Sequence, residues 1–125
     1  MNSNAAAIYK RVYLESGSPT HILDALLGRL LADLRQIAVR TTARDFEGKA
    51  ESVTHALCII NELEGSLDFR SAPALCQNLT SLYNFTRQRI LEAHAKCDPS
   101  GLESPQKVIT TVREAFRGAA ETGRR

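Results

Sequence analysis

The sequence predicts an all-α protein, an antiparallel up-down four-helix bundle with an N-terminal segment packed on it. Three observations carry that expectation. Apolar residues recur at three- and four-residue spacing in four separate stretches. Prolines 19, 73, 99 and 105 stand at the starts of those stretches or between them. Nothing alternates with period two for long enough to make a strand. Short connections between long helices favour antiparallel neighbours.

Residues 1–17 precede the first helix start. Ile8, Tyr9, Val12, Tyr13 and Leu14 are too apolar for a free tail, so this segment is expected to pack on a bundle spanning residues 18–122. Ser18-Pro19 reads as an N-cap followed by proline at the first helical position, where the missing N–H costs nothing. Ile22, Leu23, Leu26, Leu27, Leu30, Leu31, Leu34 and Ile37 then mark helix one, which should end near Thr41-Thr42. Gly28 inside it costs about 1 kcal/mol relative to alanine, which a close helix–helix approach would justify.

Asp45 is the next N-cap. Val53, Ala56, Leu57, Ile60, Leu63 and Leu67 define helix two, with Gly65 near its end. Ser71-Ala72-Pro73 opens helix three, which runs to about Cys97 and stops before the turn Asp98-Pro99-Ser100-Gly101. Ser104-Pro105 repeats the first start signal, and Val108, Ile109, Val112, Ala115, Phe116 and Ala119 form helix four. Gly123-Arg124-Arg125 reads as a frayed tail.

With 125 residues the chain fits one domain. A hydrophobic content of 43% and a charged content of 24% are ordinary for a globular protein. A formal charge of +2, with arginines scattered among acids, argues against nucleic acid as a partner. The first residues lack the pattern of a signal peptide, and no apolar run approaches the ~18 residues that span a bilayer. Cytoplasmic location without membrane insertion is therefore expected. Cys58, Cys76 and Cys97 form no paired motif and are expected to be buried, reduced apolar fillers.

Enzyme constellations do not emerge from the sequence. It has no glycine-rich phosphate loop and no Cys/His spacing for a metal, so no catalytic residue, cofactor or metal is expected. Glu51…His55 and Glu92…His94 lack the Glu-x-x-His spacing of bundle di-metal sites. His21 and His94 read as surface or first-turn residues. Thr54-His55-Ala56-Leu57 is similar to the Ala-His-x-Leu of histidine phosphotransfer domains, which are also four-helix bundles. Those domains continue with Lys-Gly where this chain has Cys58-Ile59. A phosphotransfer protein acting through His55, or a purely structural helical adaptor, is the alternative to a binding protein.

The apolar faces are wider than burial against one neighbour requires. On a helical wheel, Leu75, Leu79, Leu82, Ala93 and Cys97 cluster, Tyr83 and Ile90 widen the stripe, and Phe85 and Leu91 lie beyond its two edges. The spread is roughly 240°, against the ~100° of an ordinary surface helix. Ile59 is similarly displaced from the Val53–Ile60–Leu67 line of helix two. Helices with two neighbours in a bundle would explain this width. So would a groove that holds an amphipathic segment of another protein.

Residues 9–117 resemble the flagellar secretion chaperones of the FliS type. The resemblance rests on Tyr9-Lys10-x-Val12 through Glu15-Ser16, on Arg44-Asp45-Phe46 before helix two, and on Ile60-x-Glu62-Leu63 with Ser66-Leu67-Asp68 at its end. Most specific is Asn78-Leu79…Leu82-Tyr83…Arg89…Glu92-Ala93, and Glu114-Ala115-Phe116 sits where that family commonly shows Ala-Trp. Two pieces depart from the pattern: Leu26-Leu27-Gly28-Arg29 in helix one, and Phe69-Arg70-Ser71-Ala72 before helix three. The resemblance implies a chaperone, not an enzyme. Its expected partner is the C-terminal segment of flagellin, with components of the flagellar type III export apparatus as further partners. Ile8, Tyr9, Ile59, Leu67, Leu82, Tyr83 and Phe85 are the residues expected to meet that partner.

Overall fold

A computed structural model describes the backbone of residues 19–123 and the side chains of residues 21–119. The expected segment 1–17 lies outside the described residues. Within them the chain forms four helices: α1 (Pro19–Thr42), α2 (Phe46–Gly65), α3 (Pro73–Lys96) and α4 (Glu103–Gly123). A short 3₁₀ turn, Pro99–Leu102, links α3 to α4. No strand occurs among the described residues. The fold class is therefore an all-α helical bundle.

The leucine spacing of α1 dictates the packing. Leu23, Leu27, Leu30, Leu31, Leu34 and Ile37 form one buried stripe, and α2, α4 and the 3₁₀ turn all lie against this helix. Helix α2 packs on α1 and on α3, while α3 touches α1 only slightly. From α2 the core receives Val53, Ala56, Ile59, Ile60 and Leu63, and from α3 Leu75, Leu79, Tyr83, Ile90 and Ala93. Leu102 and Ile109 close it from the last part of the chain. Leu67 falls beyond the end of α2 rather than within it, and packs half-buried against the core.

Capping chemistry sets the boundaries. The Asp45 carboxylate accepts a hydrogen bond from the Gly48 N–H at 3.0 Å, satisfying one of the donors orphaned at a helix start. Arg40 also donates to Asp45, at 3.0 Å, so one carboxylate ties the end of α1 to the start of α2. Helices α1 and α3 end alike. Asp45 N–H reaches the Arg40 carbonyl and Arg44 N–H the Thr41 carbonyl; Asp98 N–H reaches Ala93 and Cys97 N–H reaches His94. Each is a Schellman closure, in which one residue turns left-handed, commonly glycine. Here Arg44 (φ 60°) and Cys97 (φ 51°) take that conformation. Asp98, the N-cap of the 3₁₀ turn, accepts from the Ser100 N–H and hydroxyl, which hold its carboxyl below the usual range. Helix α4 accordingly begins at Glu103, ahead of the Ser104-Pro105 signal.

Polar ties reinforce the helix ends. Asp24, near the start of α1, accepts two hydrogen bonds from Arg113 (3.0 and 3.2 Å) and two from Arg117 (2.6 and 3.0 Å) on α4. Gly28 leaves room for this clasp: a Cβ there would meet the Arg113 guanidinium at 2.7 Å. The glycine thus accommodates an arginine rather than a close backbone approach. At the start of α2, Lys49 is buried at 3% exposure and donates to the His94 carbonyl at 3.2 Å, where the negative end of the α3 dipole favours a cation. Arg87 on α3 joins Asn61 and Glu64 on α2.

The expectation that all three cysteines are buried does not hold. Cys76 is buried, and desolvation pushes its thiol pKa up. Cys58 and Cys97 are exposed. Cys58 occupies the outer side of α2, two residues from Ala56 and Ile60, and Cys97 is the left-handed residue that terminates α3. An apolar neighbourhood in sequence did not fix which way these side chains point. In native buffer, Cys58 and Cys97 should react with an alkylating reagent at least ten times faster than Cys76, as followed by peptide mass spectrometry.

The two arginines on Asp24 lower its pKa from 3.8 to about 2, with Arg117 the larger cause. A carboxylate whose folded pKa is depressed adds stability above its unfolded pKa and loses it as pH falls through the folded value. The groups are partly solvated, so the contribution is screened to about 1 kcal/mol. Asp24→Asn should lower the melting temperature at neutral pH by roughly 3–6 °C. The gap between wild type and variant should close between pH 4 and pH 2, as read by circular dichroism.

Candidate binding groove

Helices α3 and α4 pack less closely than α1 and α2, and an open groove of about 570 Å³ separates them along one side. Leu75, Leu79 and Leu82 line it from α3, and Val112, Ala115, Phe116 and Ala119 from α4. Asn78, Ser81 and Thr111 add short polar groups. The groove follows from residue size. Large leucines on α3 face a wall of α4 that alternates Val112 and Phe116 with Ala115 and Ala119. The alanines reach too short a distance to fill the space. Close-packed interiors normally leave few voids larger than a water molecule, so this gap is a surface feature rather than part of the core.

The helical wheel of α3 explains its wide apolar face. Leu82 lines the groove. Tyr83, Cys76 and Ile90 lie about 100° away and are buried. Phe85 lies about 60° to the other side, one turn beyond Asn78 and Ser81 along the same edge. It is half-buried, with the Arg89 guanidinium 5.2 Å from its ring centroid. Leu91 is 46% exposed. Two neighbours and one groove account for the stripe apart from Phe85, which lies outside the groove lining, and Leu91, which faces solvent.

The seven candidate residues divide accordingly. Ile8 and Tyr9 lie outside the described residues. Ile59 is 3% exposed and Tyr83 fully buried, because α2 and α3 each face two neighbours. Leu67, Leu82 and Phe85 are half-buried. Of the seven, Leu82 lines the groove. The α4 wall was absent from the candidates, although the sequence held a signal for it: alanines 115 and 119 recur at helical spacing opposite a leucine-rich helix.

His55 has both ring nitrogens engaged. Nδ1 lies 2.5 Å from Asp33 Oδ2, and Nε2 lies 2.8 Å from Arg29 Nη2. A guanidinium only donates, so Nε2 accepts and the ring proton sits on Nδ1. Both contacts are to side chains of α1. No group of three or more metal-binding side chains occurs among the described residues, and no described helix is long and apolar enough to cross a membrane.

Comparison with known proteins gives this architecture a family. A family model described as "Flagellar protein FliS" matches residues 1–123. The flagellar secretion chaperone FliS of Escherichia coli (strain K12) is 29% identical over 103 residues, covering 82% of this chain and 76% of that protein. The protein of the same name from Salmonella typhimurium (strain LT2) is 25% identical over 114 residues, covering 87% and 84%. That of Vibrio cholerae serotype O1 is 28% identical over 112 residues, covering 86% and 82%. With nearly its whole length matched, the chain belongs to the FliS family of flagellar proteins.

Proposed function

We propose that the protein is a flagellar secretion chaperone that holds the C-terminal segment of flagellin, and that the groove between α3 and α4 is part of the holding surface. The open apolar groove carries this reading, and membership in a family whose relatives are named as secretion chaperones supports it. A free flagellar subunit with exposed apolar helix faces would pair with its neighbours. A groove lined by Leu82, Val112 and Phe116 can cover such a face, while the ordering entropy of the segment keeps the complex releasable. Binding of this kind in the cytoplasm would prevent premature polymerisation and deliver the subunit to the flagellar type III export apparatus.

Within that reading the candidate residues have distinct tasks. Leu82 and Phe85 meet the segment directly, with Leu67 extending the contact. Ile59 and Tyr83 back the helices from the core, and act by keeping the groove walls in place. Ile8 and Tyr9 belong to the segment that either covers the empty groove or forms part of its wall when flagellin is bound. An aromatic ring with a hydroxyl suits such a partly wet contact.

Two experiments test the assignment. Titration with a fluorescent peptide of the flagellin C-terminal segment should show Leu82→Glu and Phe116→Glu weakening binding at least tenfold, or about 1.4 kcal/mol. Their helicity and melting should stay near wild type. Ile59→Glu should instead unfold the protein or destabilise it by several kcal/mol, since the charge would be buried without a partner. Unchanged affinity in both groove variants would overturn the site. For the N-terminal segment, Tyr9→Ala should change affinity more than stability. Equal hydrogen-exchange protection of residues 8–14 with and without the peptide, together with wild-type affinity, would exclude it.

A further inference from the structure

Away from the groove, Lys49 Nζ lies 3.3 Å from Cys97 Sγ. The lysine is 3% exposed, whereas the cysteine is open to solvent. A hydrogen bond to the His94 carbonyl (3.2 Å) and the face of Phe46, 5.2 Å from Nζ to the ring centroid, hold the amine in place. An oxidisable sulfur thus sits at the surface with a primary amine fixed beneath it.

No second thiol is in position to capture an oxidised Cys97. Cys58 follows Lys49 by nine residues on α2, which puts it ~13 Å further along the helix axis. Cys76 precedes Cys97 by 21 residues along α3, roughly 30 Å away. A disulfide requires Cα atoms within about 7 Å, so neither pairing forms inside this fold. Cys97 Sγ instead contacts the His94 carbonyl oxygen, at 3.9 Å, and one nitrogen, Lys49 Nζ.

We propose that Lys49 and Cys97 form an oxidation-dependent covalent bridge, a sulfenamide bond between Sγ and Nζ, when the protein meets a hydroperoxide. In the first step the Cys97 sulfur attacks one peroxide oxygen and the O–O bond breaks. The products are a sulfenic acid at Cys97 and, for hydrogen peroxide, one water. Sulfur is oxidised by two electrons and the peroxide is reduced by two. In the second step Nζ, as the free amine, attacks the sulfenyl sulfur. The S–O bond breaks, and the departing hydroxide takes a proton from nitrogen as a second water. Sulfenic acids undergo this condensation with nearby nitrogen as they do with thiols. The contact replaces a bimolecular encounter with a step inside the fold. Two equivalents of a thiol reverse the bond, restoring cysteine and amine and leaving a disulfide of the reductant. The bridge closes the chain between residues 49 and 97, tying the start of α2 to the end of α3.

The test treats the full-length native protein with hydrogen peroxide, removes the excess, and maps peptides after cleavage at glutamate. The expected product joins the peptides containing Lys49 and Cys97, is two hydrogens lighter than their sum, and separates on treatment with dithiothreitol. Cys97→Ser should abolish it. Lys49→Arg should abolish it as well and let Cys97 proceed to sulfinic acid. The wild-type map stands whether or not that variant folds. Recovery of wild-type Cys97 as sulfinic acid, or as a disulfide with another copy, while Lys49 keeps a reactive amine, would overturn the proposal.

Discussion

Burial of the leucine stripe on α1 is the constraint from which the arrangement follows. Six large side chains on one helix cannot be covered by a single neighbour, so α2, α4 and the 3₁₀ turn all collect around it. Helix α3 then reaches the core mainly through α2. Its second side is left to α4, whose own large residues are committed partly to α1 through Ile109. What α4 offers to α3 is in large part alanine and threonine. The groove is thus a residue-size mismatch between two helices that are each anchored elsewhere.

Anchoring at the helix ends keeps that mismatch from collapsing. Asp45 joins α1 to α2, Lys49 joins α2 to the last carbonyls of α3, and Arg87 bridges α3 back to α2. These ties are directional, unlike apolar packing, and they fix the axial positions of the helices. Loss of a partner at Lys49 would leave a buried polar group unsatisfied, which costs more than the bond itself contributes. Lys49 is the extreme case, because its ammonium group is almost fully removed from water.

Helix boundaries were legible in the sequence because capping is local chemistry. Asp45 caps the Gly48 N–H three residues on, and Pro73 stands in the first turn of α3. The Ser104-Pro105 signal misplaced a start, since Asp98 had already turned the chain. The core was legible through periodicity, with Leu27, Leu34, Ile60 and Ile90 as clear members. The groove was only partly so. Leu82 and Tyr83 are adjacent in sequence, yet one lines an open surface and the other is sealed in the core. Which neighbour each faces depends on the rotation of α3 about its axis, a property of the assembled bundle. The cysteines failed for the same reason, and Lys49 gave no local sign that it would be buried.

The clasp on Asp24 has a bearing on the groove itself. Arg113 and Arg117 alternate along α4 with Val112 and Phe116, so the wall of the groove and the arms of the clasp share the same two helical turns. The outer wall is therefore positioned by ion pairs rather than by interdigitated side chains alone. Apolar packing carries no charge to screen, whereas partly exposed ion pairs are weakened by dissolved salt. One wall of a groove whose facing surfaces are uncharged is thus tied to α1 by charges at its back.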